Sequence, residues 1–165
     1  MTIDLRSELK RAAWSIGTRA GDPAGGVLHY NGPPVVGAGT LMAELKQLAG
    51  DARYHINGPL QADGIQYHWA VLCTGEWVQL RDERAILWHA ANRYANTRCI
   101  AVHLPLGGAQ APTAAQWAGT CALFEDLAHR YRWYTADGQS TATCLRATAS
   151  GRARTASRRS PAPAQ

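Results

Sequence analysis

Between Ile65 and Leu80 the apolar positions alternate. Ile65, Tyr67, Trp69 and Val71 fall on one face, and Gln66, His68, Ala70 and Leu72 on the other. With the run Glu76–Leu80 and the turn Cys73-Thr74-Gly75 between the two, this period of two predicts a hairpin. A third strand-like run, Cys99–Leu104, follows a polar loop rich in Asn, Arg and Tyr. Further upstream, Val27-Leu28 reads as a buried strand ending at His29-Tyr30-Asn31. Helical spacing takes over in two places. Thr40 is a candidate N-cap for a helix carrying Leu41, Leu45 and Leu48 on one stripe, with Gly50 as its stop and residues 51–64 irregular. Thr113-Ala114-Ala115-Gln116 has the form of a capping box, and Trp117, Cys121, Phe124, Ala128 and Tyr131 then recur at helical intervals. The spacing predicts a helix over 113–131 with its stripe against the sheet. Residues 2–17 read as a short helix or capped turn through Leu5, Leu9, Ala13 and Trp14. These elements define an α/β fold: one domain with a mixed central sheet flanked by helices.

Length and charge refine this picture. The 165 residues suffice for one hydrophobic core and not for two ordinary domains. From about Thr135 the pattern of large apolar residues collapses, and the expected organisation is a domain over 1–145 followed by an Arg/Ala/Ser-rich disordered tail over 146–165. The formal net charge of +5 belongs to that tail: without Arg146, Arg152, Arg154, Arg158 and Arg159 the chain holds 12 basic and 12 acidic residues. A neutral folded part argues against a nucleic-acid partner. No apolar run is long enough to span a bilayer. The first residues carry acids and lack an apolar core, so a cytoplasmic location at synthesis and a monomer are the expectations. The four cysteines show no CxxC pairing; Cys73, Cys99 and Cys121 lie in or beside apolar runs and read as small buried hydrophobes, while Cys144 has polar neighbours.

Chemistry-bearing residues sit on or next to the strands: His29 at a strand end, Tyr67, His68 and His103 within strands, His89 and Asn96 around the polar loop. His55 and His129 read as surface or helix residues. No HExxH, Gly-x-Ser-x-Gly or phosphate-loop spacing is present. Each histidine by itself is compatible with a hydrogen-bonded structural role, and for His68 that role fits best.

Four segments taken in order are more specific: VLHYNG (27–32), YHW (67–69), WHAANRYANTRCIAVHLPLGG (88–108) and PTAAQWAGTCALFEDLAHRY (112–131). Over roughly residues 25–131 the chain resembles the zinc N-acetylmuramoyl-L-alanine amidases, a family that includes phage amidase lysozymes and animal peptidoglycan-recognition proteins. The resemblance implies a zinc ion at one end of a mixed sheet, with His29 as first ligand, Cys144 as thiolate ligand and Asp137 as a third. It gives Tyr67 the catalytic role beside the metal-bound water. It places His89 and Asn96, with Tyr30 and Asn31, along a groove for the glycan and peptide. The implied activity is cleavage of the amide between N-acetylmuramic acid and L-alanine by a zinc-activated water, as in a phage endolysin or autolysin that reaches the cell wall after release. The chain departs from the family pattern at its end. Ala136 and Asp137 stand where the second zinc histidine is expected, and Leu145-Arg146 stands for the Pro-Gly that follows the thiolate. Two readings follow: a peptidoglycan-binding module with a degraded zinc site, or an amidase with a divergent or frame-altered end. Translating the coding DNA in its other frames tests the latter; a Pro-Gly continuation near Cys144 is its expected signature.

Overall fold

The computed structural model describes residues 2–133 and 145–146. Its centre is a six-stranded mixed sheet in the order β1-β4-β3-β5-β2-β6. The strands are β1 (Thr2–Asp4), β2 (Gly25–Asn31), β3 (Trp69–Val71), β4 (Trp77–Gln79), β5 (Cys99–Gly107) and β6 (Leu145–Arg146). Only the β3–β4 hairpin is antiparallel; β1 joins β4, β3 joins β5, and β5 and β6 flank β2 in parallel.

The sheet is covered on both faces. Helix α3 (Ala114–Arg130) lays Leu123, Leu127 and Ala128 on a core of Trp69, Val71, Ile100, Val102 and Leu104. Its start is fixed by the Thr113 hydroxyl, which accepts from the Gln116 amide at 3.0 Å as the capping pattern predicts. The helix crosses the hairpin turn so closely that a Cβ on Gly119 would lie 2.4 Å from the Gly75 carbonyl. On the opposite face, α1 (Leu41–Asn57) buries Leu48 and Ala52 against Ile65, Ala70, Leu72, Val78 and Leu80. Even fully parallel neighbours β5 and β2 therefore see helices on both sides, and β5 is buried along its whole length.

Four expectations are corrected. Of the two readings of residues 2–17 the helix fails and the capped turn holds in part: Thr2–Asp4 pair with Trp77–Gln79 as an edge strand, and the Asp4 carboxylate then accepts from the Arg6 N–H at the start of a turn over residues 6–8. Leu5 and Leu9 pack on the core, while Trp14 stays 47% exposed, so no single apolar stripe forms. Gly50 does not stop α1, which continues to Asn57 and ends at Gly58, whose N–H bonds the Tyr54 carbonyl. Burial of Asp51 and Ala52 offsets the weak helix propensity of glycine, so residues 51–57 are ordered helix and not irregular. In the run from Ile65 only Trp69–Val71 is paired strand, and the polar loop contains a short helix, α2 (Arg93–Arg98), capped by Asn92. Cys121 is exposed, since its neighbours on α3 take the sheet-facing positions. The candidate ligands Asp137 and Cys144, and the tail beyond Arg146, lie outside the described residues.

Candidate active site

The site grows from the α1 face of the sheet at the C-terminal end of β2. His29 on β2 and His103 on β5 are register partners, so their side chains rise from the same face. Tyr67, just before β3, stacks flat on His103 with ring centroids 4.1 Å apart and stands 5.5 Å from the His29 ring. His55 of α1 approaches Tyr67 edge-on, also at 5.5 Å. His89 completes the group with its Nδ1 2.9 Å from His29 Nε2.

Hydrogen bonds fix the tautomers. His89 Nε2 lies 3.1 Å from the Ala95 carbonyl and must carry the hydrogen. His89 Nδ1 then holds a lone pair, so His29 Nε2–H donates to it. That leaves the lone pair of His29 on Nδ1. Burial, followed by the neighbouring His89, His103 and His55, pushes His29 well below its ordinary value, and burial brings His89 to about 4. Both rings are therefore neutral at physiological pH. Tyr67 is pushed upward by burial and by the Asp51 carboxylate, so it stays a phenol that can donate.

A second layer lies beneath the tyrosine. His103 Nε2 faces Asn31 Oδ1 at 3.1 Å and Asp51 Oδ2 at 3.4 Å, both acceptors, so it carries the hydrogen. Its Nδ1 is buried and has no hydrogen-bond partner among the described residues. Asp51 also accepts from Gln47 at 2.7 Å and from Asn31. Burial alone would raise the Asp51 carboxyl, but the bonds from His103, Gln47 and Asn31 outweigh it and hold it below the ordinary range. A cavity of about 570 Å³ opens here, lined by Asn31, Asp51, Tyr54, His55 and Tyr67 among others. A smaller one of about 250 Å³ on the α3 side touches His29 and Tyr30.

Of the residues marked in the sequence, His29, Tyr67, His89 and Asn31 come together. Tyr30 turns toward the α3-side core. Asn96 closes the α2 loop on itself: its amide donates to and accepts from the Ala90 backbone, both at 2.8 Å. His68 is a buried structural residue that accepts from the Ala101 N–H and bonds the Ala85 carbonyl. Asp51, His55 and the site-facing side of His103 were missed. Following the stripe Leu48-Ala52-His55 past Gly50 would have carried α1 one turn further and turned those side chains toward the sheet.

Zinc, the metal that the resemblance implies, takes neutral imidazole with thiolate or carboxylate donors. His29 meets the first requirement through Nδ1, the nitrogen left with the lone pair when Nε2–H donates to His89. Among the described residues no group of three His, Cys, Asp or Glu side chains is poised to hold a metal. Cys73, Cys99 and Cys121 are free thiols, and no helix among the described residues is long and apolar enough to cross a membrane.

The pH dependence of the metal-free chain follows from these histidines. His55 and His89 titrate at about 4 when folded against 6.5 when free, mainly through burial. The unfolded chain thus binds more protons below 6.5. Their contribution to stability is complete above that value and is lost as pH falls toward about 4. Denaturant midpoints in chelator should drop between about pH 7 and pH 5; a flat profile would show that these rings are solvated.

A mixed sheet between two helices, with histidine and tyrosine converging at the end of an inner strand, defines a single-domain α/β protein. Comparison with known families is specific: residues 19–159 match the model of the N-acetylmuramoyl-L-alanine amidases, and the chain belongs to that family. Solved structures agree in fold. The wild-type peptidoglycan recognition protein LB of Drosophila matches with a TM-score of 0.65 at 15% identity, covering 79% of this chain and 75% of that one. Peptidoglycan recognition protein LE, solved with tracheal cytotoxin, gives 0.67 at 14% identity over 79% and 75%. The endolysin of bacteriophage Ph2119 from Thermus scotoductus gives 0.61 at 19% identity over 80% of each chain. No curated protein matches the chain.

Proposed function

We propose that this protein is a peptidoglycan hydrolase that cleaves the amide between N-acetylmuramic acid and the L-alanine of the stem peptide, acting as an endolysin or autolysin on the wall after release. The convergence of His29, His89 and Tyr67 supports this reading, with the rings of His29 and Tyr67 5.5 Å apart. His29 would hold zinc through Nδ1, with Cys144 and Asp137 as the further ligands drawn from the family resemblance. When bound, the metal supplies a water that ionises near neutrality and polarises the scissile carbonyl. Tyr67 stays protonated and stacked on His103, so its hydroxyl is held ready to donate to the oxyanion. The stem peptide would lie in the cavity beside Asn31, Tyr54 and His55.

The test is direct. Purified chain with zinc should release peptides with new L-alanine amino termini from walls and clear a wall suspension, with about one zinc per chain. Binding to walls with neither zinc nor new amino termini would make the protein a non-catalytic binding module instead. Tyr67→Phe should retain zinc and lower the rate by about 10²–10³-fold, the cost of one oxyanion donor. A rate within about threefold of wild type would remove Tyr67 from the chemistry.

A further inference from the structure

Two exposed tryptophans share a mount of buried hydrogen bonds whose segments lead directly into the site residues His89 and Tyr67. Trp14 and Trp88 are 47% and 41% exposed, and their rings approach to 6.1 Å at 49°. They come from segments far apart in sequence, yet one buried polar cluster holds both. Asp63, buried completely, accepts from the Ile16 N–H at 3.2 Å through its carboxylate and from the Ala12 N–H at 3.1 Å through its backbone carbonyl. Gln66, also buried, donates to Asp63 at 3.2 Å and accepts the Trp88 N–H at 2.6 Å. Arg81 clamps Asp63 with two bonds at 2.7 and 3.1 Å. A flexible surface would leave exposed indoles free to fold onto the protein; here the backbone on either side of both is pinned.

The pair is continuous with the site. Trp88 directly precedes His89, and Gln66 directly precedes Tyr67 and takes its own N–H to His55 Nδ1 at 3.2 Å. What sets this pair apart from the other exposed aromatics is that the two indoles meet and are held from below, and electron-rich indole faces attract polarised C–H bonds. A pyranose ring offers such bonds on its flat face and hydroxyl and acetamido groups at its rim.

We infer that Trp14 and Trp88 form a stacking platform for the N-acetylhexosamine rings of the glycan strand, next to the bond that is cut. The choice of ligand rests on the hydrolase reading above, because a substrate attached to a lactyl-muramoyl group brings its glycan to the mouth of the site. The platform sets affinity for the polymer and leaves the chemical step alone.

The probe is the N-acetylglucosamine tetramer, read by tryptophan fluorescence on the full chain. A saturable change is expected, weakened at least about tenfold in Trp14→Ala and in Trp88→Ala, and largely restored in Trp14→Phe and Trp88→Phe. On walls the alanine variants should raise KM with kcat retained. Tetramer binding by a wild-type chain that cuts no walls would keep the platform and sink the hydrolase reading. Wall cutting with unchanged KM in both alanine variants would overturn the platform and leave that reading intact. No fluorescence change with wild type would overturn the platform even if an alanine variant failed to fold.

Discussion

Under the proposed hydrolase reading, His29→Ala should abolish zinc retention and lower amide hydrolysis by more than about 100-fold, since changes even in the outer shell of a metal site cost roughly 10–100-fold. The reasoning runs through a chain of hydrogen bonds and not through the ligand alone. The Ala95 carbonyl holds the hydrogen on His89 Nε2, and His89 Nδ1 holds the hydrogen on His29 Nε2. His29 therefore presents Nδ1 before any metal arrives. His89→Leu should break that chain and weaken zinc binding by about 10–100-fold, with the ligand itself untouched. Gln at position 89, whose carbonyl can accept from His29, should restore part of the loss. Competition with a chromogenic chelator measures all three variants. Equal zinc affinity in wild type and His89→Leu would show that His89 has no orienting role, and zinc retention by His29→Ala would move the metal elsewhere.

Asp63→Ala costs about 3–5 kcal/mol of stability, because it strands the Arg81 guanidinium in the interior. Arg81 is 1% exposed and Asp63 fully buried, and among the described residues only the Ile65 carbonyl, at 3.1 Å, accepts from the guanidinium besides Asp63. Gly64 lets the two meet: its φ of +156° suits glycine, and a Cβ there would press to 2.8 Å from Arg81 Nη1. For a domain of this size the melting temperature should fall by roughly 10–20 °C. Replacing both partners, as in Asp63→Ala with Arg81→Met, should cost less than Asp63→Ala alone, since no buried charge is then left without its partner. Additive losses in the double variant would mean that packing, and not the ion pair, dominates. Because Asp63 also anchors the segments of Trp14 and Trp88, the single variant should loosen the indole pair as it destabilises the core.

Local patterns carried much of the architecture. The N-cap at Thr113, the period of α3 and the alternation around the β3–β4 hairpin are short-range signals, set by neighbours within a turn or a pleat, and each appears in the folded chain, although the Gln116 side chain bonds the Val71 carbonyl and does not close the capping box. The strand that ends in His29-Tyr30-Asn31 was legible for the same reason. Position 50 shows where such signals fail: a glycine reads as a stop until burial of Asp51 and Ala52 against the sheet outweighs its propensity. The amino-terminal strand failed likewise, since an edge strand of three residues is held by pairing with β4 and not by its own composition.

Residue type and motif order sufficed to single out His29, Tyr67 and His89 as candidate site residues, and their rings do meet. Only the tertiary structure decided that β2 and β5 run in parallel register, which sets His29 and His103 side by side, and that α1 reaches far enough to bring Asp51 and His55 over them. The physical reason is that a hydrogen bond acts over about 3 Å, while its partners here lie 20 to 72 residues apart along the chain. No local pattern encodes such a meeting; the packing of helix on sheet does.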